Sequence, residues 1–326
     1  GISLGLNGAD NMDMRKALIG LTLALSLPAA AEAKEPAAAA SSFAAAKQAA
    51  FQSDRIEVSV VGRGPDVILI PGLSSSPARA WASTVDAVPG YRYHLVQVKG
   101  FAGAPVGANG QGPVAAPVAA EIARYIKERK LKQPAVVGHS MGGTIGMMLA
   151  ARNPGAVGRL MVVDMAPFMG AFFGQPNATV ETLRPMAEQM RTAMSAPPTE
   201  QSNAILERTI NGIVRTESAR RAILEDSRNS DRAATANSYY ELMTTDLRPE
   251  LPAIKVPVSV LYVVPAGIPV TPEMMDGLYQ SLYANLGGVK LTRIPDAAHF
   301  IQLDSAPRFQ QELKTFLEAK SSQSAS

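Results

Sequence analysis

Residues 135–146 read Ala-Val-Val-Gly-His-Ser-Met-Gly-Gly-Thr-Ile-Gly, placing Ser140 between glycines where an apolar run meets a helical pattern. A serine hydroxyl is a weak nucleophile until a base within hydrogen-bond reach takes its proton and a third group orients that base. Three histidines, His94, His139 and His299, are available for the base. There is no cysteine, which removes disulfides, thiolate metal sites and thiol nucleophiles together. Gly138-His139-Ser140-Met141-Gly142 fits G-x-S-x-G. That pattern has chemical meaning only between a strand and a helix, where a strained turn lifts the serine Oγ above the sheet edge.

The flanking sequence supplies those elements. "AVV" before the motif is a buried strand, and Met141 to Arg152 has the pattern of a helix. Upstream, "IEVSVVG" (56–62) and "DVILIPG" (66–72) read as strands rich in β-branched residues and closed by glycine. A helical stretch, "SPARAWASTVDAV", precedes the strand "YRYHLVQVKG", and a second helix runs roughly from Val114 to Lys132. Downstream strands are "RLMVVDMAP", "VPVSVLYVVPAG" and "GVKLTRIPDAAH". Short apolar strands alternating with helices predict an α/β domain over residues 51–320, with a mostly parallel central sheet flanked by helices. Residues 168–250 break the alternation, carrying helical patterns and no convincing strand, and read as a helical lid inserted after the strand ending at Asp164. Met186, Met190 and Met194 share one helical face there and read as its packed underside.

This order of elements, with "GHSMGG" and a histidine ahead of the last helix, resembles the α/β-hydrolase fold family of serine esterases and lipases, over about residues 54–318. The resemblance implies an oxyanion hole made by the backbone N–H groups of Met141 and of Leu73 in "LIPGLSSS". It also implies that His299, in "PDAAHFIQLD", is the base, since it follows the last strand and precedes the last helix. His94 lies inside a strand, where a buried, hydrogen-bonded role suits it, and His139 is expected to pack beside the nucleophile. The acid is less plain. Many members of the family place an aspartate after the penultimate strand, and here Ala266 stands near that position. Asp164 ends the strand after the nucleophile, where other members carry their acid, and it is preferred over Glu273, Asp276 or a Ser–His dyad. Glu273 in "TPEMMD" suits a helix first turn, and Asp296 a turn.

Ser140, His299 and Asp164 make acyl-transfer equipment. The expected activity is hydrolysis of carboxylic esters of small to medium apolar substrates. Met165, Phe168 and Phe172, with Met169 and Phe173, are candidates to line an apolar pocket or, equally, to pack the lid onto the sheet. Thioester, lactone or polyester cleavage by the same triad, or a catalytically dead binding protein, stay open as alternatives. No cofactor and no metal is called for. The chain of 326 residues is 47% apolar and 18% charged, which describes a globular protein. Net charge is only +3, and the one basic run, "KERKLK", closes a helix where cations complement its dipole, so nucleic acid is not an expected partner.

The N-terminus carries a separate signal. Arg15 and Lys16 precede an apolar run from Ala17 to Leu27 and then Ala31-Glu32-Ala33. This is the order of a secretory signal peptide cut after Ala33, and the run is too short for a permanent membrane anchor. Residues ahead of Met12 or Met14 read as upstream sequence, 34–50 as an alanine-rich linker, and 321–326 as a disordered tail. The expectation is therefore an exported protein, periplasmic or secreted.

Overall fold

In the computed structural model, which describes residues 42–174 and 177–320, the apolar runs pair into one sheet of eight strands. These are β1 (Lys47–Gln48), β2 (Ile56–Gly62), β3 (Asp66–Ile70), β4 (Arg92–Val98), β5 (Ala135–His139), β6 (Arg159–Val163), β7 (Val258–Tyr262) and β8 (Lys290–Arg293). Their order across the sheet is β1-β2-β4-β3-β5-β6-β7-β8. The β1–β2 and β2–β4 pairs are antiparallel, and every pair from β4 to β8 is parallel. Strand β5 is buried at every position, as a strand covered on both faces must be.

Alternate residues of each strand feed two different cores. Ile68, Ile70, Val136, Leu160, Val162 and Val260 face helices α2 (Ala115–Glu128) and α3 (Met141–Arg152). Val67, Leu69, Val137, Met161, Val163 and Leu261 face α1 (Pro77–Ala87) and the C-terminal helix (Ala306–Glu318), where Trp81 and Phe309 are fully buried. The period of two along the strands is thus used twice, once per face.

Between β6 and β7 the chain leaves the sheet for four helices, α4 (Val180–Ser195), α5 (Glu200–Ile213), α6 (Glu217–Arg228) and α7 (Arg232–Met243). Thr179 and Thr199 each start a helix with a reciprocal capping box. Met194 is buried in the core of this insertion together with Phe168, Leu183 and Tyr239, and Met186 and Met190 pack partly against it. The methionine stripe is packing, as its spacing predicts.

One carboxylate ties the insertion to the sheet domain. The N-cap residue of α2, Val114, has no side chain able to cap. Glu241 of α7 supplies the acceptor instead, taking hydrogen bonds from the N–H groups of Val114 (2.8 Å), Ala115 (2.6 Å) and Ala116 (2.9 Å). Its negative charge also suits a helix N-terminus.

Part of the stretch read as linker is attached to the fold. Ser42–Ala45 form a 3₁₀ turn, Lys47 and Gln48 pair with Val60 and Ser59, and the Phe43 N–H donates to Asp86 at 3.0 Å. The segment read as a signal peptide, residues 34–41 of the stretch read as a linker, and residues 321–326 lie outside the described residues. Among the described residues no helix is long and apolar enough to cross a membrane.

Glu241→Ala leaves two buried N–H groups and a half-buried one without an acceptor and is expected to cost about 3 kcal/mol in chemical denaturation. A loss below about 0.5 kcal/mol would show that the cap contributes nothing.

Candidate active site

The turn from β5 into α3 holds Ser140 at φ 56°, ψ −122°, a conformation that side-chain-bearing residues rarely adopt. The turn is fixed by the Ser140 N–H donating to the Val163 carbonyl at 2.9 Å and the Ser140 carbonyl accepting from the Gly143 N–H at 2.8 Å. The flanking glycines are steric requirements. A Cβ on Gly138 would lie 2.0 Å from the Gly142 carbonyl oxygen, and one on Gly142 would lie 2.3 Å from that of Ile70.

Asp164, directly after β6, also has a positive φ, 57°. Its N–H donates to the Leu261 carbonyl at 2.7 Å. One carboxylate oxygen accepts from His299 Nδ1 at 2.6 Å and the other from the Val263 N–H at 3.3 Å. Both side chains are nearly enclosed, His299 at 11% and Asp164 at 12% exposure. With its Nδ1 proton facing the carboxylate, the imidazole presents Nε2 as an acceptor. The structure brings no other candidate acid to His299. Glu273 is exposed in the first turn of α8 (Pro272–Leu282), whose N-cap is Thr271. Asp276 accepts from Tyr262 Oη (2.5 Å) and Arg293 Nε (2.9 Å). Asp296, in a turn at φ 58°, has a side chain 95% exposed.

The other two histidines have different surroundings. His94 is buried between Tyr125 Oη (2.6 Å) and Asp66 Oδ1 (2.8 Å), away from Ser140, and burial pulls its pKa down. His139 packs its ring 4.7 Å from that of His299 and 4.6 Å from that of Phe300. Its Nε2 bonds the His299 carbonyl oxygen at 2.8 Å. A carbonyl only accepts, so the proton sits on Nε2. Nδ1 is left buried without a partner. Burial first, and the neighbouring His299 second, hold its pKa well below the ordinary imidazole value.

Leu73 lies in the turn that follows β3, next to Ser74 at φ 57°. Neither the Leu73 N–H nor the Met141 N–H has a hydrogen-bond partner among the described residues. Two cavities meet at Leu73, Ser140 and His299. One is walled by Met165, Met169, Phe172, Phe173, Leu242 and Tyr279. The other is walled by Leu206, Ile210 and Ile213 of α5 and Ile223, Asp226 and Ser227 of α6. Met165 and Phe172 therefore line a cavity as expected. Phe168 does not: it is fully buried in the core of the insertion, with the Arg248 guanidinium 4.9 Å over its ring. Phe168 is the residue ahead of a short 3₁₀ helix, Met169–Phe172, and packs inward, while Phe172 at the helix end is only partly buried and lines the cavity.

Two site-forming acids escaped the sequence reading. Asp304 accepts from the Ala298 N–H at 2.9 Å, beside His299, and also from the Thr216 N–H (2.9 Å) and Oγ1 (2.8 Å) at the start of α6. Asp226 reaches Ser76, 150 residues away in sequence. Their nearness to "HFIQLD" or to a helix end was visible, but their partners were not.

A sequence model of the alpha/beta hydrolase family matches residues 67–310. Among curated proteins, the chain is similar to the pimeloyl-[acyl-carrier protein] methyl ester esterase of Vibrio atlanticus, with 26% identity over 227 residues, covering 64% of this chain and 80% of that protein. The enzyme of the same name from Aeromonas hydrophila is 32% identical over 114 residues, 34% of this chain and 42% of that one. Among solved structures, an enol-lactonase from Burkholderia xenovorans superposes with TM-score 0.65 at 20% identity, covering 84% of this chain and 100% of that one. An esterase from Exiguobacterium antarcticum gives TM-score 0.64 at 20% identity, covering 81% and 96%. The chain belongs to the alpha/beta hydrolase family.

The environments of His94 and His139 set a pH dependence of stability. Both imidazoles have folded pKa values below the ordinary one. Below about 6.5 the unfolded chain takes up protons that the folded protein refuses, so this stability is complete above that pH and declines as pH falls. The denaturation midpoint is expected to drop between pH 7.5 and 5.5, and to drop less in His139→Gln. A flat profile in the wild type would contradict the buried, neutral state of both rings.

Proposed function

From its membership of the alpha/beta hydrolase family and the geometry around Ser140, we propose that this protein is an exported serine hydrolase of carboxylic esters. Its substrates are small to medium and largely apolar, and they react through an acyl-enzyme on Ser140. The observation that carries this reading is the enclosed 2.6 Å bond from His299 Nδ1 to Asp164, in a ring that lines the same cavities as Ser140.

Ser140 Oγ attacks the ester carbonyl while His299 Nε2 takes its proton. The Leu73 and Met141 N–H groups, which have no partner within the described chain, receive the oxyanion. His299 then gives the proton to the leaving alcohol, and a water activated by the same nitrogen releases the acid. Asp164 keeps the imidazole in the tautomer that leaves Nε2 free, and it stabilises the imidazolium while the proton is in transit. The Val263 N–H steadies the second oxygen of that carboxylate.

The apolar wall of Met165, Met169, Phe172 and Phe173 suits an aliphatic arm. The esterase names of the curated relatives support ester cleavage, with lactones and polyesters as arms of the same test. The absence of an acid near Ala266 is the one motive for a non-catalytic reading, and a carboxylate on His299 from the adjacent strand removes its force. Export rests on the basic, apolar and Ala-x-Ala order of residues 15–33.

A p-nitrophenyl ester series from acetate to palmitate tests the activity. Ser140→Ala is expected to abolish turnover and Asp164→Asn to lower kcat by roughly 10³ to 10⁴, as when a triad loses the correct imidazole tautomer. Glu273→Gln is expected to stay within about twofold of the wild type. Loss of activity in Glu273→Gln with Asp164→Asn active would move the acid to the later position. For export, N-terminal sequencing of the protein recovered outside the cytoplasm is expected to begin at Lys34.

A further inference from the structure

The second cavity at Ser140 carries a carboxylate that, unlike Asp164 in the first, has no bond to His299. Leu206, Ile210, Ile213 and Ile223 give it aliphatic wall, Ser74, Ser75, Thr209 and Ser227 also line it, and Asp226 supplies the carboxylate. The side chain is only 14% exposed. Oδ2 is fully engaged, accepting from the Ser76 N–H at 3.2 Å and from Ser76 Oγ at 2.6 Å, with the Arg79 guanidinium 3.8 Å away. Oδ1 makes no hydrogen bond among the described residues. A carboxylate oxygen in such a place is served by water. A substrate arm that fills the chamber displaces that water, and an arm with no donor leaves the oxygen bare at the cost of its solvation.

Building on the esterase reading of the same site, we propose that this chamber selects a short hydroxylated arm of the ester, whose O–H donates to Asp226 Oδ1, while the opposite, apolar arm occupies the cavity walled by Met165, Met169, Phe172 and Phe173. The substrate class is thus a two-sided ester, hydrocarbon on one side of the carbonyl and hydroxyalkyl on the other. A hydroxyl fits better than an ammonium for two reasons. Arg79 already stands against the carboxylate, so a second cation meets repulsion. Burial also raises the Asp226 pKa above the ordinary carboxylate value. A hydroxyl both donates and accepts, so it pairs with either form of the group, and an ammonium pairs with one.

The test uses two isosteric ester pairs, so that the hydroxyl lies on either side of the carbonyl. They are 2-hydroxyethyl against propyl hexanoate, and hexyl 3-hydroxypropanoate against hexyl butanoate, with 2-aminoethyl hexanoate as the cationic arm. In the wild type one pair is expected to favour the hydroxyl ester by about tenfold or more in kcat/KM, as when a site built to hydrogen-bond rejects the analogue lacking the group. In Asp226→Leu that ratio is expected to fall to within twofold of unity, with the all-carbon ester still cleaved. Ser76→Ala, which removes the Oγ bond to the carboxylate and leaves the backbone N–H and Arg79 to hold it, is expected to retain the preference. If Asp226→Leu does not fold, Asp226→Ala, which removes both carboxylate oxygens without filling the chamber, is expected to lose the preference in the same way.

Absence of a preference above twofold in both pairs, in a wild type that cleaves the all-carbon esters, would overturn this inference and leave the esterase reading intact. So would a preference unchanged in Asp226→Leu, or a larger preference for the aminoethyl ester. A wild type inert on every ester would overturn both.

Discussion

The register of the parallel strands β3, β5, β6 and β7 is the constraint on which the site depends. Gly138 pairs with Ile70 on one side and Val162 on the other, and Val163 pairs with His139 and Leu261. The residues that leave these strands therefore emerge together at one sheet edge: the Leu73 turn, Ser140, Asp164 and Val263. A slip of one residue at any pair would exchange the two faces of that strand and turn its exit the wrong way. The ladder also makes the strained backbone of Ser140 and Asp164 tolerable. Each residue's N–H is tied to the carbonyl of a neighbouring strand, at Val163 and Leu261, so the conformation is over-determined by its surroundings.

The insertion above that edge is held by the complement of the same logic. Its own core is apolar, and three of its joints with the sheet domain are made by carboxylates accepting backbone N–H groups. Glu241 receives the start of α2, Asp226 the start of α1, and Asp304 both Ala298 and the start of α6. Each joint pairs an anionic group with N–H donors that a loop or helix start leaves unsatisfied. Such bonds are directional where aliphatic packing is not, so they set the position of α5 and α6 over Ser140 more narrowly than burial alone does. Asp304 joins the insertion and the His299 loop at one carboxylate, so a shift of either is felt by the other.

This division explains what the sequence made legible. The strands, the Gly138 and Gly142 frame of Ser140, and the placing of His299 before the last helices follow from local patterns: β-branched runs, glycine at close approaches, a histidine between two elements. The insertion was legible as a break in alternation, and its methionine stripe as packing. What stayed hidden was whatever depends on a partner distant in sequence. Nothing near Asp226, Glu241 or Asp304 marks them as different from surface acids, because their acceptor role is set by helix starts more than 80 residues away. Phe168 was misplaced for a related reason. Phe168 stands beyond a strand end and just ahead of a short 3₁₀ helix, where no periodicity of two or 3.6 says which aromatic faces the cavity.

The position of the carboxylate follows from the same ladder. β6 and β7 are adjacent and parallel, so an imidazole above their ends is within reach of an acid from either. Here the end of β7 supplies backbone in place of a side chain: the Leu261 carbonyl accepts from the Asp164 N–H, and the Val263 N–H donates to the Asp164 carboxylate. β7 thus fixes both the backbone and the side chain of the acid that β6 contributes. An acid placed after β7 itself would need another neighbour to steady it, and the strand beyond, β8, is only partly buried. Seating the carboxylate one strand inward puts it on the better-buried side of that pair. This accounts for how the His299–Asp164 pair is nearly enclosed even though Ala266 offers His299 nothing.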